Sequence, residues 1–416
     1  MGGRIAVVEA VRTPWSPRGG GLSGMSAAAL GAVAVRDLLL RAAVLPDVVD
    51  LVVVGSARSG TSGSLGAEVA FRAGMDAVAP SVSMGDVSGE RAIAEACRAI
   101  LVGDIDTAVA VGVETPSDLQ LGLSAPLREA VMGTRRGETA GDKLRAWAGV
   151  KATDLRPTTA ELRDPITEET LAAAAESVAL RFGLDRVDQD AYAVRSHARA
   201  FRRAREGAPE VVPVAAPAGA GVIVVERDEG PRGEVTAAAL ARRAPLAKVG
   251  ASFSVPASIA TVTAGNLSTQ ADGAAAVLLT RPDLARGRGW TVLAEIDGAR
   301  FATSDPFAAP RQGGAVALRR LLDEKNEPLQ SVRVAEASEP AASFVLALLA
   351  ALPELDPEVL NRWGGSIALG RCSGGSGIRL VGTAVRRMAA AGADKAVVIG
   401  GGAAGHGAAL LLRAPQ

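Results

Sequence analysis

The chain has 416 residues, with 45 basic and 45 acidic side chains and a formal net charge of zero. That length allows two or three domains with a full core, and balanced charge without a Lys/Arg-rich block argues against a general nucleic-acid binder. Two cysteines, Cys97 and Cys372, cannot make a disulfide framework; no apolar run reaches membrane-spanning length and no signal-peptide pattern opens the chain, so a cytoplasmic protein is expected.

In chain order, "RIAVVEAVRTP" (4–14) and "LVVVGS" (51–56) read as strands with both faces buried. "MGDVSGERAIAEACRAI" (84–100) reads as a tight turn followed by a helix, with Asp86 at the helix start. "TAVAVGV" (107–113) is a further strand. Residues 119–246 are more charged and carry helical patterns at "EETLAAAAESVALRFG" (168–183) and "DRVDQDAYAVRSHARAFRRAREG" (185–207), the second capped by Asp185 or Asp188. "SIATVTAGNLSTQADGAAAVLLT" (258–280) predicts a strand, a Gly-Asn turn and a helix.

The chain then repeats itself. "SGERAIAEACRAILVGDIDTAVAVGVE" from Ser88 aligns without a gap on "SGIRLVGTAVRRMAAAGADKAVVIGGG" from Ser376. "RIAVVEAVRTP" pairs with "WTVLAEIDGAR" (290–300), and "LVVVGS" with "VRVAEAS" (332–338). Two similar α/β halves follow, residues 1–118 with 247–281 and residues 282–416, with 119–246 inserted into the first.

These features resemble the thiolase superfamily over nearly the whole chain. "VVEAVRTP" (7–14) looks like the family's opening strand, and "DQDAYAVRSHARA" (188–200) is similar to its loop-domain helix. "TAGNLSTQADGAAAV" (263–277), "NRWGGSIALGRCSGGSGIR" (361–379) and "VVIGGGAAGHGAA" (397–409) resemble its later motifs. The resemblance implies an α/β thiolase-like fold, two similar halves in α-β-α-β-α layers with an inserted loop domain. It also implies a homodimer, or a heteromer with a thiolase-type subunit, with "PSVSM" (80–84) at the interface. No metal and no required cofactor are implied; coenzyme A or an acyl-CoA is the expected ligand.

The same resemblance marks what has changed. The family's nucleophilic cysteine becomes Asp86, its activating histidine becomes Arg371 and its second cysteine becomes Val398. "ASEPAAS" (337–343) keeps Glu339 but has Ser338 and Ala341 where the family has an oxyanion-hole asparagine and an aromatic wall. Asp86 reads either as a helix-terminal anion or as a nucleophile giving a mixed anhydride. Arg371 stays protonated, so it is no general base. It can pair with Asp86 or bind a substrate carboxylate or thioester oxygen.

His406, in the last Gly-rich turn, is a candidate relocated acid/base, whereas His197 matches a structural position of the family. Cys372 reads as a small buried thiol, and Glu90 and Arg91 suggest a remodelled floor. Candidate CoA contacts are Ser254, Ser268, Arg242 and Arg243. Three functions compete: a non-catalytic accessory or heteromeric subunit; an enzyme acting on CoA thioesters by aldol cleavage, hydrolysis or atypical condensation without an acyl-cysteine; and ordinary thiolysis, which lacks its nucleophile.

Overall fold

The computed structural model describes residues 3–57, 64–118, 121–156, 158–159, 163–246, 255–256 and 258–416. The chain forms two compact units, Met1–Ser117 with Asp164–Gln416, and Asp118–Arg163. In the smaller unit, Ser124 caps helix Ala125–Arg136 by accepting from Leu127 N, and Thr139 and Asp142 form a capping box on helix Ala140–Arg145. Trp147 Nε1 donates to Thr134 Oγ1 at 2.7 Å and ties the two helices together.

In the larger unit the main strands are β1 (Ile5–Arg12), β2 (Leu51–Gly55), β3 (Ser81–Val82), β4 (Thr107–Glu114), β5 (Ala271–Thr280), β6 (Ala294–Thr303), β7 (Val334–Ala337), β8 (Lys395–Gly401) and β9 (His406–Arg413). The first half has the order β2-β4-β5-β1, with β3 beyond β2 at the edge; the second repeats it as β7-β8-β9-β6. In each half the first pair is parallel and the next two antiparallel. The halves join where β1 and β6 pair antiparallel, Ala6 opposite Glu295. The repeat read in the sequence is thus a repeat of topology.

Helices α1 (Ala27–Ala42), α2 (Ser88–Val102), α3 (Arg186–Glu206), α4 (Gly313–Lys325) and α5 (Ser373–Ala391) complete the frame. α2 and α5 pack on each other and on strands of both halves; α1 and α4 lie on the strands of their own halves. The core is layered to match. On β4, Val109, Val111 and Val113 join the α1 layer, whereas Ala108 and Ala110 join the central layer with Ile93, Ile378 and Leu380. A third layer under α4 holds Leu318, Leu321 and Ile399. The small residues admit the central helices closely: a Cβ on Gly112 would stand 2.2 Å from Gly374 O.

Residues 271–280, expected to be helical, are instead strand β5. All ten are buried, and the strand pairs β1 on one side and β4 on the other. Alanine's helix preference is a weak prior, and pairing on both edges overrides it. Gly273 also fits beneath Trp15, whose Cδ1 would be 2.4 Å from an added Cβ. Of the two candidate caps of α3, Asp185 occupies the position, accepting from Asp188 N at 2.8 Å. Among the described residues no helix is long and apolar enough to cross a membrane.

Candidate functional site

The turn after β3 passes through Gly85 at φ +58 and carries Asp86 to the start of α2. Asp86 does not act as a helix cap: the N-cap position is Val87, without a side-chain capping bond. The Asp86 carboxylate turns instead to Arg371, whose Nη1 donates to its Oδ1 at 2.8 Å. Arg371 is held from behind, its N–H donating to Thr269 O at 2.7 Å and its carbonyl accepting from Ala271 N at 3.0 Å. Its Nη1 also donates to Ser373 Oγ at 3.1 Å. Exposures of 13% for Asp86 and 10% for Arg371 make this a largely buried pair.

A second guanidinium, missed in the sequence, completes the cluster. Arg311 Nη1 lies 3.9 Å from Asp86 Oδ2, and its Nη2 lies 3.8 Å from Asp164 Oδ2. The Arg311 backbone is left-handed, φ +61, and its guanidinium lies over the Phe344 ring, 5.2 Å from the centroid. Asp164 accepts from three backbone N–H groups, those of Ala404 (2.7 Å), Ile166 (2.9 Å) and Thr167 (3.2 Å). Burial pushes the Asp86 carboxyl up, but Arg371 and Arg311 outweigh it and hold the group below the usual carboxylate range. Asp164 is likewise held low, its backbone donors overcoming burial.

One turn along α2, Glu90 is fully buried, and neither carboxyl oxygen has a hydrogen-bond partner among the described residues. It fills the space left by two glycines; an added Cβ would meet it at 2.1 Å from Gly377 and 2.3 Å from Gly400. Burial first, and then the Asp86 charge, push this carboxyl up to about 7, against Arg379.

Ser338 follows β7; its Oγ accepts from Gly401 N at 2.9 Å, and with Arg311, Pro340, Phe344 and Gly401 it walls a cavity of about 20 Å³. His406 opens β9 opposite Thr303, half-buried, and its carbonyl accepts from Gly402 N at 2.9 Å. Among the described residues its ring takes no part in the hydrogen bonds of the Asp86 cluster. The Cys372 thiol is fully buried, donates to Gly273 O at 3.2 Å and is pushed far up by burial. Val398 lies in the central apolar layer. Glu339 accepts from Tyr192 OH (2.8 Å), Ser196 Oγ (2.5 Å), Asn361 Nδ2 (3.0 Å) and Ile367 N (3.0 Å), linking α3 to the segment before Arg371.

A larger pocket, about 580 Å³, is walled by residues that include His197, Phe201, Arg232, Arg243, Leu267 and Thr269. Of the expected CoA contacts, Arg243 lines it and Arg242 does not. Ser268 turns its hydroxyl to Pro340 O at 2.8 Å, and Ser254 lies outside the described residues. His197 is kept neutral, its pKa lowered to about 4 by burial and by the Arg232 charge. Thr269, on the wall of this pocket, accepts from the Arg371 backbone N–H, and the side chains of the Asp86 cluster do not line the pocket among the described residues.

Two repeated α/β halves, with the turns before α2 and α5 meeting at one buried floor, define a class of protein whose site is made by its own internal symmetry. The chain belongs to the thiolase family: the family described as "Thiolase, N-terminal domain" matches residues 5–283 and "Thiolase, C-terminal domain" residues 290–414. It is 33% identical to a probable acetyl-CoA acetyltransferase of Mycobacterium tuberculosis, covering 98% of each chain. It is 30% identical to the mitochondrial trifunctional enzyme subunit beta of Bos taurus, covering 99% of this chain and 88% of the relative. Its fold superposes on acetyl-CoA acetyltransferase from Syntrophomonas wolfei with a TM-score of 0.85 at 25% identity, covering 99% of both chains. The human mitochondrial 3-ketoacyl-CoA thiolase in complex with CoA gives 0.84 at 26% identity, covering 99% of this chain and 98% of that one.

Proposed function

We propose that this protein is a thiolase-family member of acyl-CoA metabolism that takes a CoA thioester into its large pocket and forms no acyl-cysteine. We read it as a non-catalytic, accessory or heteromeric subunit. The observation that carries this is the ion pair of Asp86 with Arg371 on the floor where the family resemblance puts a thiol and an imidazole. A carboxylate held ionised by two guanidinium groups is a poor nucleophile toward a thioester, and a guanidinium cannot take up a proton. Both cysteines are buried, and burial raises both thiols, so neither supplies a thiolate in place of Asp86.

Coenzyme A binding is supported by the pocket's size and by Arg232 and Arg243 on its wall, cations suited to phosphate. Likeness to a chain named as a trifunctional enzyme subunit supports a heteromeric partner, and edge strand β3 is the edge we assign to a second thiolase-type subunit, in a dimer or heteromer. We assign the protein to the cytoplasm.

A second reading keeps catalysis: an enzyme cleaving or hydrolysing CoA thioesters without an acyl-cysteine, with Asp86, Arg371, Ser338 and His406 as its groups. It is favoured by two carboxyls one helical turn apart whose environments drive them in opposite directions, Asp86 down and Glu90 up.

Calorimetric titration with CoA, alongside a thiolysis assay on acetoacetyl-CoA, tests the proposal. CoA binding that weakens in Arg243→Ala, with no thiolysis, is expected. Turnover to acetyl-CoA would overturn the non-thiolase reading, and failure of CoA to bind would overturn the assignment of the pocket.

A further inference from the structure

Residues 211–225, "VVPVAAPAGAGVIVV", carry no charged side chain, and most of them form a surface hairpin. Strand Val214–Ala218 pairs antiparallel with strand Gly221–Val225 through the two-residue turn Gly219-Ala220, with Gly219 at φ +57. Val214, Ala216 and Val225 face inward and join the α1 core layer. Val222, Ile223 and Val224 are instead 69%, 43% and 59% exposed. Single exposed apolar residues are ordinary; three consecutive β-branched ones in a strand mark a contact surface.

The two edges of this hairpin differ. Ala218 and Gly221 flank the turn, so the residues that exchange backbone hydrogen bonds are Ala218 with Gly221, Ala216 with Ile223 and Val214 with Val225. The N–H and C=O groups of Val222 and Val224 therefore point away from the hairpin on one edge, and the backbone of Pro217 points away on the other. Pro217 has no N–H to offer, and Gly24 lies against it: a Cβ on Gly24 would stand 2.8 Å from Pro217 O. That edge is blunted and covered. The Val222–Val224 edge has neither proline nor charge, and among the described residues no strand pairs with it.

A second copy of the same strand fits the open edge. Set antiparallel about a two-fold axis at Ile223, Val222 of one copy faces Val224 of the other, and each of these pairs exchanges both its N–H···O bonds. In that register Glu226 and Arg227, the first charges after the strand, fall opposite Ala220 and Gly219 of the turn, so no like charges meet. The contact also closes on itself. Once the two open edges are joined, the combined sheet ends on a Pro217 strand at either side and grows no further. Size sets its strength: three partly exposed side chains per copy fall well below the roughly 20–30 residues a side of a stable interface, so the pairing is a transient one.

We propose that the open edge at Val222–Val224 is a self-association surface, which joins two copies of this protein through an antiparallel, two-fold strand pair. It belongs to a different sheet from edge strand β3, so it adds a second contact to a dimer formed there. It does not depend on what the large pocket binds.

A contact of this size corresponds to a dissociation constant on the order of 100 µM, so sedimentation velocity on the full chain from about 10 to 500 µM tests it. The wild-type mass should rise toward twice its low-concentration value. Val224→Lys puts a charge on the apolar edge and should hold the low-concentration mass throughout. The site is exposed, so the thermal midpoint of that variant should match wild type. Hydrogen exchange on the wild-type protein needs no variant: the Val222 and Val224 amides should exchange severalfold more slowly at the highest concentration than at the lowest. A constant wild-type mass, Val224→Lys associating like wild type, or unchanged exchange of these two amides would overturn the proposal. A mass that rises only when a different chain is added would overturn it too and assign the edge to that chain.

Discussion

Cutting the Asp86–Arg371 pair from either side should have unequal costs. Asp86→Ala leaves two buried guanidinium groups near each other, Arg311 with Asp164 as its remaining carboxylate neighbour and Arg371 without its ion-pair partner. With the two side chains only 13% and 10% exposed, the figure for exposed ion pairs does not apply. The cost of stranding a buried charge does, about 3–5 kcal/mol. Arg371→Leu strands Asp86, but Arg311 is already 3.9 Å away and can close on it. That variant should cost less, about 2–3 kcal/mol. Asp86→Ala with Arg371→Leu removes both charges and should cost less than the sum of the singles by at least roughly 1.5 kcal/mol. Urea unfolding followed by tryptophan fluorescence measures all three. Additivity within about 0.5 kcal/mol would refute the pairing. Arg371→Leu costing more than Asp86→Ala would refute the compensating role of Arg311. The sign with pH is fixed as well: Asp86 has a lowered folded pKa, so its contribution is present above the ordinary carboxylate range and lost as pH falls through the folded value.

Glu90 carries the opposite sign, since its folded pKa of about 7 lies above the ordinary 4.5. Its favourable contribution is full below 4.5 and lost as pH rises through 7, a swing of about 3 kcal/mol. Glu90→Gln should flatten that slope and stabilise the protein at pH above 7; an unchanged stability–pH profile would show that Glu90 ionises without penalty. Cys97, its thiol pushed up to about 12 by burial, and Cys372, pushed further still, should resist alkylation by iodoacetamide in the native protein and react after unfolding. Rapid native labelling of either would contradict their burial.

The fold was legible because its repeat was written in the chain: the ungapped match from Ser88 and Ser376 corresponds to α2–β4 and α5–β8. The exception was β5, where alanine composition pointed to a helix and only the neighbouring strands make it a strand. At the site, Asp86 and Arg371 were legible because the resemblance brings their turns together. Arg311 and Asp164 were not. They lie 147 residues apart, in segments without distinguishing local pattern, and their meaning comes from a left-handed backbone and from backbone donors that only folding supplies. The capping role read for Asp86 failed for the same reason: a guanidinium from the other half competes for the carboxylate and wins.

The central claim is that no cysteine of this chain carries an acyl group during its work. Intact-mass spectrometry of the purified protein, quenched after incubation with acetyl-CoA or acetoacetyl-CoA, tests it most directly. The unmodified mass is the expected result. A mass increase of one acetyl group, mapped by digestion to Cys372 or Cys97, would contradict it and restore acyl-cysteine chemistry to this chain.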